Sequence, residues 1–270
     1  MRRVLRRGAA TLSGALLFST LVPAADLRAE NLKLDYQIAW GHVTLAEATI
    51  VLKQATPHYR LTSSGRTQGL FDLLFSWEGG AETRGLLREG QRRPLRHENQ
   101  GVWRDKSRWT RVDWTDPEKP RTETEPPPDP EKVTAVPPEA TLGTSDPFTV
   151  ILGLLDDLVE TGRCEAEAKV WDGRRRYDFF VTHLGEDELT ADRPWAYTGP
   201  ALGCALSYER IGGFWREAPS WREPNDGADA RRVVWVAEIV PGRWVPVRAE
   251  LETRFGAVIG RLKPAEDPDP

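Results

Sequence analysis

The side chains in this chain that could do chemistry are two cysteines, four histidines and a scatter of neighbouring carboxylates. Cys164 and Cys204 could form a disulfide, a redox pair or part of a metal site. A redox pair commonly reads Cys-x-x-Cys, which is absent, and no histidine stands at ligand spacing from either cysteine. The histidines, His42, His58, His97 and His183, are dispersed, without the His-Glu-x-x-His spacing that puts two imidazoles on one helix face around zinc. No Gly-x-Ser-x-Gly elbow is present, and Ser63-Ser64-Gly65 reads as the end of a strand. Acid pairs occur at Asp156-Asp157 and Asp187-Glu188. A glycosidase-like hydrolase would need two carboxylates at a fixed separation, and solvated charge is the simpler reading. The sequence therefore assigns no catalytic residue, no metal ligand and no cofactor.

The abundance of tryptophan is the less ordinary feature. Eleven are spread over almost every segment with strand character. Rings of that size bury large areas on pleated surfaces, so most are expected in the core. Trp215 and Trp221 differ, because they fall in a loop-like stretch between Gly212 and Gly227 where exposure would favour a ligand or partner.

The elements that must position these side chains follow from periodicity. Leu34, Tyr36, Ile38 and Trp40 alternate with smaller or polar residues, the pattern of a half-buried strand. Similar runs cover 43–52, 59–63, 81–87, 94–102 and 107–114, which predicts an antiparallel meander. The dense apolar run Gly69–Phe75 predicts a helical turn or a loop against the sheet. From Asp116 to Thr141 the chain is crowded with Pro, Glu, Thr and Asp and has almost no large apolar residue, predicting an extended surface linker or flap. Asp146-Pro147 then opens the principal helix, about 146–161. Asp can cap its free N–H groups, Pro suits its first position, and Phe148, Ile151, Leu152, Leu155, Leu158 and Val159 recur at helical spacing up to Gly162. Asp172-Gly173 marks one later hairpin and Pro241-Gly242 another, with a last strand over 257–262. The expected fold is mainly β, a curved antiparallel sheet or half-open barrel with one principal helix packed on it, in a single domain over 25–270.

The N-terminus sets the compartment. Arg2, Arg3, Arg6 and Arg7 precede an uncharged stretch from Gly8 to Ala25, interrupted by Thr11, Ser13, Gly14, Ser19 and Pro23. This is the layout of a Sec-type signal peptide over 1–24, with small-x-small sites ending at Ala24 and at Ala29. The first is preferred because it ends the apolar run, and a retained N-terminal anchor is the alternative. Cleavage after Ala24 removes four arginines and no acid, taking the net charge from −4 to −8. An acidic exported chain is not expected to bind nucleic acid, and no other segment is apolar enough to span a bilayer. In an oxidising periplasm the two cysteines are most simply a disulfide between Cys164 and Cys204, tying two neighbouring β segments.

Taken in order, the Tyr/Trp-rich first strand, the Ser145-Asp146-Pro147 helix start, the Asp172-Gly173 hairpin with Arg176-Tyr177, Val234-Trp235-Val236, Pro246-Val247 and Phe255-Gly256-Ala257-Val258-Ile259 resemble the bacterial domain of unknown function 3108. The resemblance runs from about Leu34 to Leu262, and the cysteine pair is similar to a branch of that family. It implies a periplasmic β-rich protein of unestablished activity. A weaker analogy of fold extends to LolA-type lipoprotein carriers and the EipB β-spiral family, with a different cysteine spacing from the latter. The expectation is a non-enzymatic envelope protein that binds a lipid or acyl chain in a sheet concavity beside the helix, through Phe148, Ile151, Leu152, Leu155, Trp215 and Trp221. The alternative is a structural or interaction protein with an envelope partner, using the Pro-rich segment as its surface.

Overall fold

The computed structural model describes residues 30–117, 119–217, 231–253 and 256–265. The proposed leader and Trp221 lie outside them. Thirteen strands form one antiparallel sheet: β1 (Glu30–Trp40), β2 (Val43–Ala55), β3 (His58–Thr67), β4 (Trp77–Arg88), β5 (Gln91–Trp103), β6 (Lys106–Asp113), β7 (Arg121–Glu125), β8 (Ala166–Trp171), β9 (Arg176–Leu189), β10 (Gly199–Gly212), β11 (Arg232–Val240), β12 (Arg243–Thr253) and β13 (Gly256–Leu262). Helix α1 (Gly69–Phe75) joins β3 to β4, and α2 (Pro147–Thr161) precedes β8.

The sheet order, β7-β6-β5-β4-β3-β2-β1-β13-β12-β11-β10-β9-β8, consists of two meanders joined where the first described strand pairs with the last. Register explains the inner face. Leu32, Leu34 and Tyr36 of β1 stand opposite Leu52, Ile50 and Ala48 of β2, and Leu52 stands opposite Leu61 of β3. Alternation puts these residues on one side of the pleat, so a single buried face runs across strands. Leu34, Val233, Val245 and Val247 form part of the largest core cluster.

The sheet is open, with no ladder between β7 and β8, and side chains link its two ends. Trp171 Nε1 donates to Thr122 Oγ1 at 3.0 Å. Arg174, in the β8–β9 turn, donates to Thr110 Oγ1 at 2.9 Å and to the carbonyls of Trp109, Glu125 and Pro126. Val112, Trp114 and Trp171 pack together beneath this seam, with Val136 against them.

The Pro-rich stretch is thus not a free linker. It supplies β7, a bridge from Val133 to Trp215, a 3-10 turn at Pro138–Thr141, and an acceptor in Ala140 O, which takes Arg176 Nε at 2.7 Å. The reason it reads as linker is that an edge strand can be satisfied by its partner's backbone and needs no apolar stripe of its own. The β8–β9 connection is also longer than a two-residue turn: Trp171 pairs with Arg176, leaving 172–175 as the loop.

Gly173 is needed in that loop on two counts. Its φ is +89°, and a Cβ there would stand 2.0 Å from Thr110 Cγ2. Gly173→Ala should therefore lift the turn from β6 and lower stability by about 1–3 kcal/mol, the usual range for overpacking. Urea unfolding checks this, and an unchanged midpoint would show that the turn does not hold the seam.

Cys164 and Cys204 are disulfide-bonded, with Cα atoms 5.8 Å apart. The bond does not link two adjacent strands as expected. Cys164 lies in the α2–β8 connection, Cys204 is inside β10, and β9 runs between β8 and β10. The bridge therefore pins the end of the helix connection onto the third strand from the sheet's end.

Candidate functional site

Helix α2 begins where the sequence signals place it. Asp146 is extended and accepts from the N–H groups of Phe148 and Thr149, and Gly162 closes the helix in the left-handed region at φ 69°. Its buried residues are Thr149, Leu152 and Leu158. They attach it to the inner face of the sheet, where Leu152 meets Tyr59 and Leu61, and Leu158 meets Val181, Leu202 and Val236.

A polar network underlies the helix start. Asp146 is fully buried and also accepts from Thr149 Oγ1 at 2.5 Å and from Thr83 Oγ1 at 2.6 Å. Thr83 Oγ1 is 2.8 Å from His97 Nδ1, which lies 3.5 Å from Asp146 Oδ1. Burial lowers the His97 pKa below its ordinary value, opposed by the negative charge of Asp146. Tyr59 shares a 2.6 Å hydrogen bond with Thr149, and burial pushes its phenol above the ordinary range. Gly85 makes room for this ring, since a Cβ there would stand 2.2 Å from the Tyr59 hydroxyl. Thr, His and Asp are the residue types of a nucleophilic relay, but these three are 0%, 3% and 0% exposed. Their arrangement caps and seats the helix.

Beside this network, α2 and the sheet enclose an apolar groove of about 210 Å³. Phe148, Ile151, Leu152 and Leu155 line it from the helix, facing residues such as Leu34 and Ile50. These four helix residues, expected to meet a ligand together, do share one cavity. Ile151 is 39% and Val159 51% exposed, so the groove opens to solvent along the helix. Trp215 is not part of it, being held against Val133 at the seam.

Two lining residues are not evident from the sequence. Trp244 follows the Pro241-Gly242 turn, a position whose hairpin is legible but whose approach to α2 is not. Arg92 of β5 pairs with Asp156 through Nε and Nη2, the latter at 2.9 Å, and its guanidinium lies 5.1 Å from the Tyr59 ring centroid. Asp156 is thus an ion-pair partner rather than a merely solvated helix carboxylate. Among the described residues it is also the one acid that lines the groove.

Other features lie apart from the groove. Among the described residues no cluster of three or more His, Cys, Asp or Glu could hold a metal, and no helix is long and apolar enough to cross a membrane. The tryptophans divide more evenly than expected: Trp114, Trp171 and Trp235 are buried, while Trp40, Trp77, Trp103 and Trp109 are exposed. Trp77 finds its place over Gly65, Gly79 and Gly101, whose missing side chains leave the space.

Among solved structures, the chain is similar to a β-barrel-like protein of domain of unknown function DUF1849 from Brucella abortus, at 9% identity and a TM-score of 0.47, covering 87% of this chain and 96% of that one. No curated protein matches. The model of the family described as protein of unknown function (DUF3108) matches residues 35–263, nearly the span over which the ordered sequence signals run, and the chain belongs to that family.

Proposed function

We propose that this is an exported, non-enzymatic envelope protein that holds an apolar or amphipathic ligand, a lipid or acyl chain, in the groove between α2 and the inner face of the sheet. The observation that carries the reading is the groove itself, lined by Phe148, Ile151, Leu152 and Leu155 and open at Ile151 and Val159. Apolar side chains left in contact with water on a buried helix gain by covering, at about 25 cal/mol per Å² removed from solvent. A buried disulfide is compatible with an oxidising compartment and so supports export.

Ile151→Asp tests the reading. The side chain is partly exposed, so the fold should tolerate the change at a cost of about 1 kcal/mol or less. A carboxylate in the groove should weaken binding of a fluorescent hydrophobic probe by more than about tenfold, roughly 1.4 kcal/mol. Mass spectrometry of protein purified without detergent should find co-purifying lipid. Equal probe binding by both proteins would sink the proposal.

The second reading, a structural or interaction protein supporting envelope integrity, draws on a different surface. Leu70, Leu73 and Leu74 of α1 are 79%, 80% and 63% exposed, a patch that favours contact with a partner. The Pro-rich segment is a weaker choice for that surface, because much of it is engaged at the seam.

A further inference from the structure

We propose that the end of the sheet carrying α1 docks on the surface of a lipid bilayer, with Leu70, Leu73 and Leu74 entering the interface and the β5–β6 turn lying against lipid phosphates. The proposal does not depend on what the groove holds. Three connections meet at this end. The β1–β2 turn follows Trp40, which pairs with Val43. Helix α1 follows β3, whose last residue, Thr67, pairs with Ala46 near the start of β2. The β5–β6 turn stands between Trp103 and Lys106, and Trp103 pairs with Trp77 at the start of β4. Backbone hydrogen bonds join the three: Gln68 N–H donates to Leu45 O and Arg104 N–H to Ser76 O, both at 2.9 Å.

Exposed apolar side chains gather here. Leu70, Leu73 and Leu74 are the most exposed large apolar residues among those described, and Trp40, Val43, Trp77 and Trp103 are exposed at the same end. The spacing i, i+3, i+4 puts the three leucines on one face of α1. Phe71 and Phe75 stack on each other with centroids 4.9 Å apart, and Phe75 meets the edge of Trp103 at 6.4 Å, which turns the leucine face outward. Apolar tips ringed by indoles, each part apolar and part polar, suit the boundary between water and hydrocarbon. A stable pairing of two protein surfaces engages roughly 20–30 residues a side. These seven side chains, spread over three connections, are too few for that, whereas a bilayer takes up single apolar tips without a complementary surface.

Charge agrees with that occupant. Residues 103–108 read Trp-Arg-Asp-Lys-Ser-Arg, three cations against one acid in a chain whose net charge is −4. Arg104, Lys106 and Arg108 are all exposed, and Arg104 Nη2 donates to Leu74 O at 3.0 Å, which ties the cationic turn to the leucine face. Arg66 adds a cation at the same end, and Asp72 and Glu78 are the acids set against it. Asp72 accepts from Thr67 Oγ1, so its carboxylate is turned to the strand end. The turn is therefore the part of this end that meets anionic headgroups.

Flotation of the intact protein with vesicles tests the proposal. Vesicles of phosphatidylcholine with one-quarter phosphatidylglycerol should carry the protein upward, and at low salt should bind it about threefold or more better than phosphatidylcholine alone. Leu73→Asp, at an exposed position that the fold tolerates, should weaken binding to both vesicles by more than about tenfold. Lys106→Glu with Arg108→Glu should remove the preference for phosphatidylglycerol and leave binding to phosphatidylcholine unchanged. Ile151→Asp, which alters the groove, should float like the unsubstituted chain, so loss of flotation in that variant would overturn the assignment to α1 and return lipid contact to the groove. No flotation of the unsubstituted chain, or equal flotation of Leu73→Asp, would also overturn it. Dimerisation in sedimentation that Leu73→Asp abolishes, without flotation, would give this end to a second copy of the chain instead.

Discussion

Replacing Cys204 by Ser should lower the stability of the folded chain by about 4 kcal/mol, and replacing Cys164 by Ser should do the same. The two cysteines are 40 residues apart in sequence, and a cross-link closing a loop of that length removes much of the freedom of the unfolded chain. The folded side matters as well. Cys164 and Cys204 are 0% and 1% exposed and pack with Leu158, Val181, Leu202 and Val236, so the bond lies inside the cluster that holds the C-terminal half of α2 against β10. Each single substitution breaks the same bond, and the double substitution should be no worse than either, since the effects of two partners in one link do not add. Urea unfolding of the three variants gives the comparison. Labelling of unfolded, unreduced protein should find no reactive thiol, and two per chain would show that the link does not form.

The helix is legible in the sequence because its signals are local. Asp146, Pro147 and Gly162 occupy the positions whose backbone chemistry they suit, and the apolar spacing between them selects one face. The strands around Leu34, Ile50 and Leu61 are legible for the same reason, since alternation is a property of neighbours in sequence. Contacts between distant residues are not. Thr83, His97 and Asp146 meet only after β4, β5 and α2 have been brought together. Arg92 and Asp156 are 64 residues apart, so in the sequence Asp156 reads as one more charge on a wet helix face. Strand β7 is hidden for a related reason: Arg121–Glu125 has no apolar residue, and its place comes from pairing Thr122 with Val112 and Thr124 with Thr110 of β6. The groove is half visible: the helix supplies its residues in a periodic row, while Trp244 and Arg92 come from strands whose distance from α2 is set by the curvature of the whole sheet.

Asp146→Ala should cost on the order of 3–5 kcal/mol, the range for removing one member of a buried charged network. The carboxylate accepts from two backbone N–H groups at the helix start and from the hydroxyls of Thr83 and Thr149. Loss of the cap accounts for about 0.5–2 kcal/mol. The remainder comes from buried donors left without an acceptor, at about 1–3 kcal/mol for each group that finds no substitute. The neighbouring His97 adds a pH dependence whose sign is fixed by its lowered folded pKa. Unfolding returns the imidazole to its ordinary value of 6.5, so below that pH the unfolded chain binds the extra proton first. The contribution is therefore complete above about pH 6.5 and is lost progressively as pH falls towards the folded pKa, with a slope no steeper than about 1.4 kcal/mol per pH unit. His97→Gln removes the titrating group while retaining a polar side chain, and its stability should fall less steeply between pH 7.5 and 5 than that of the unsubstituted chain. Urea unfolding at a series of pH values measures both effects. A parallel pH dependence in the two proteins would mean that His97 does not contribute to it, and a loss below 1 kcal/mol in Asp146→Ala would mean that the network can rearrange around an absent cap.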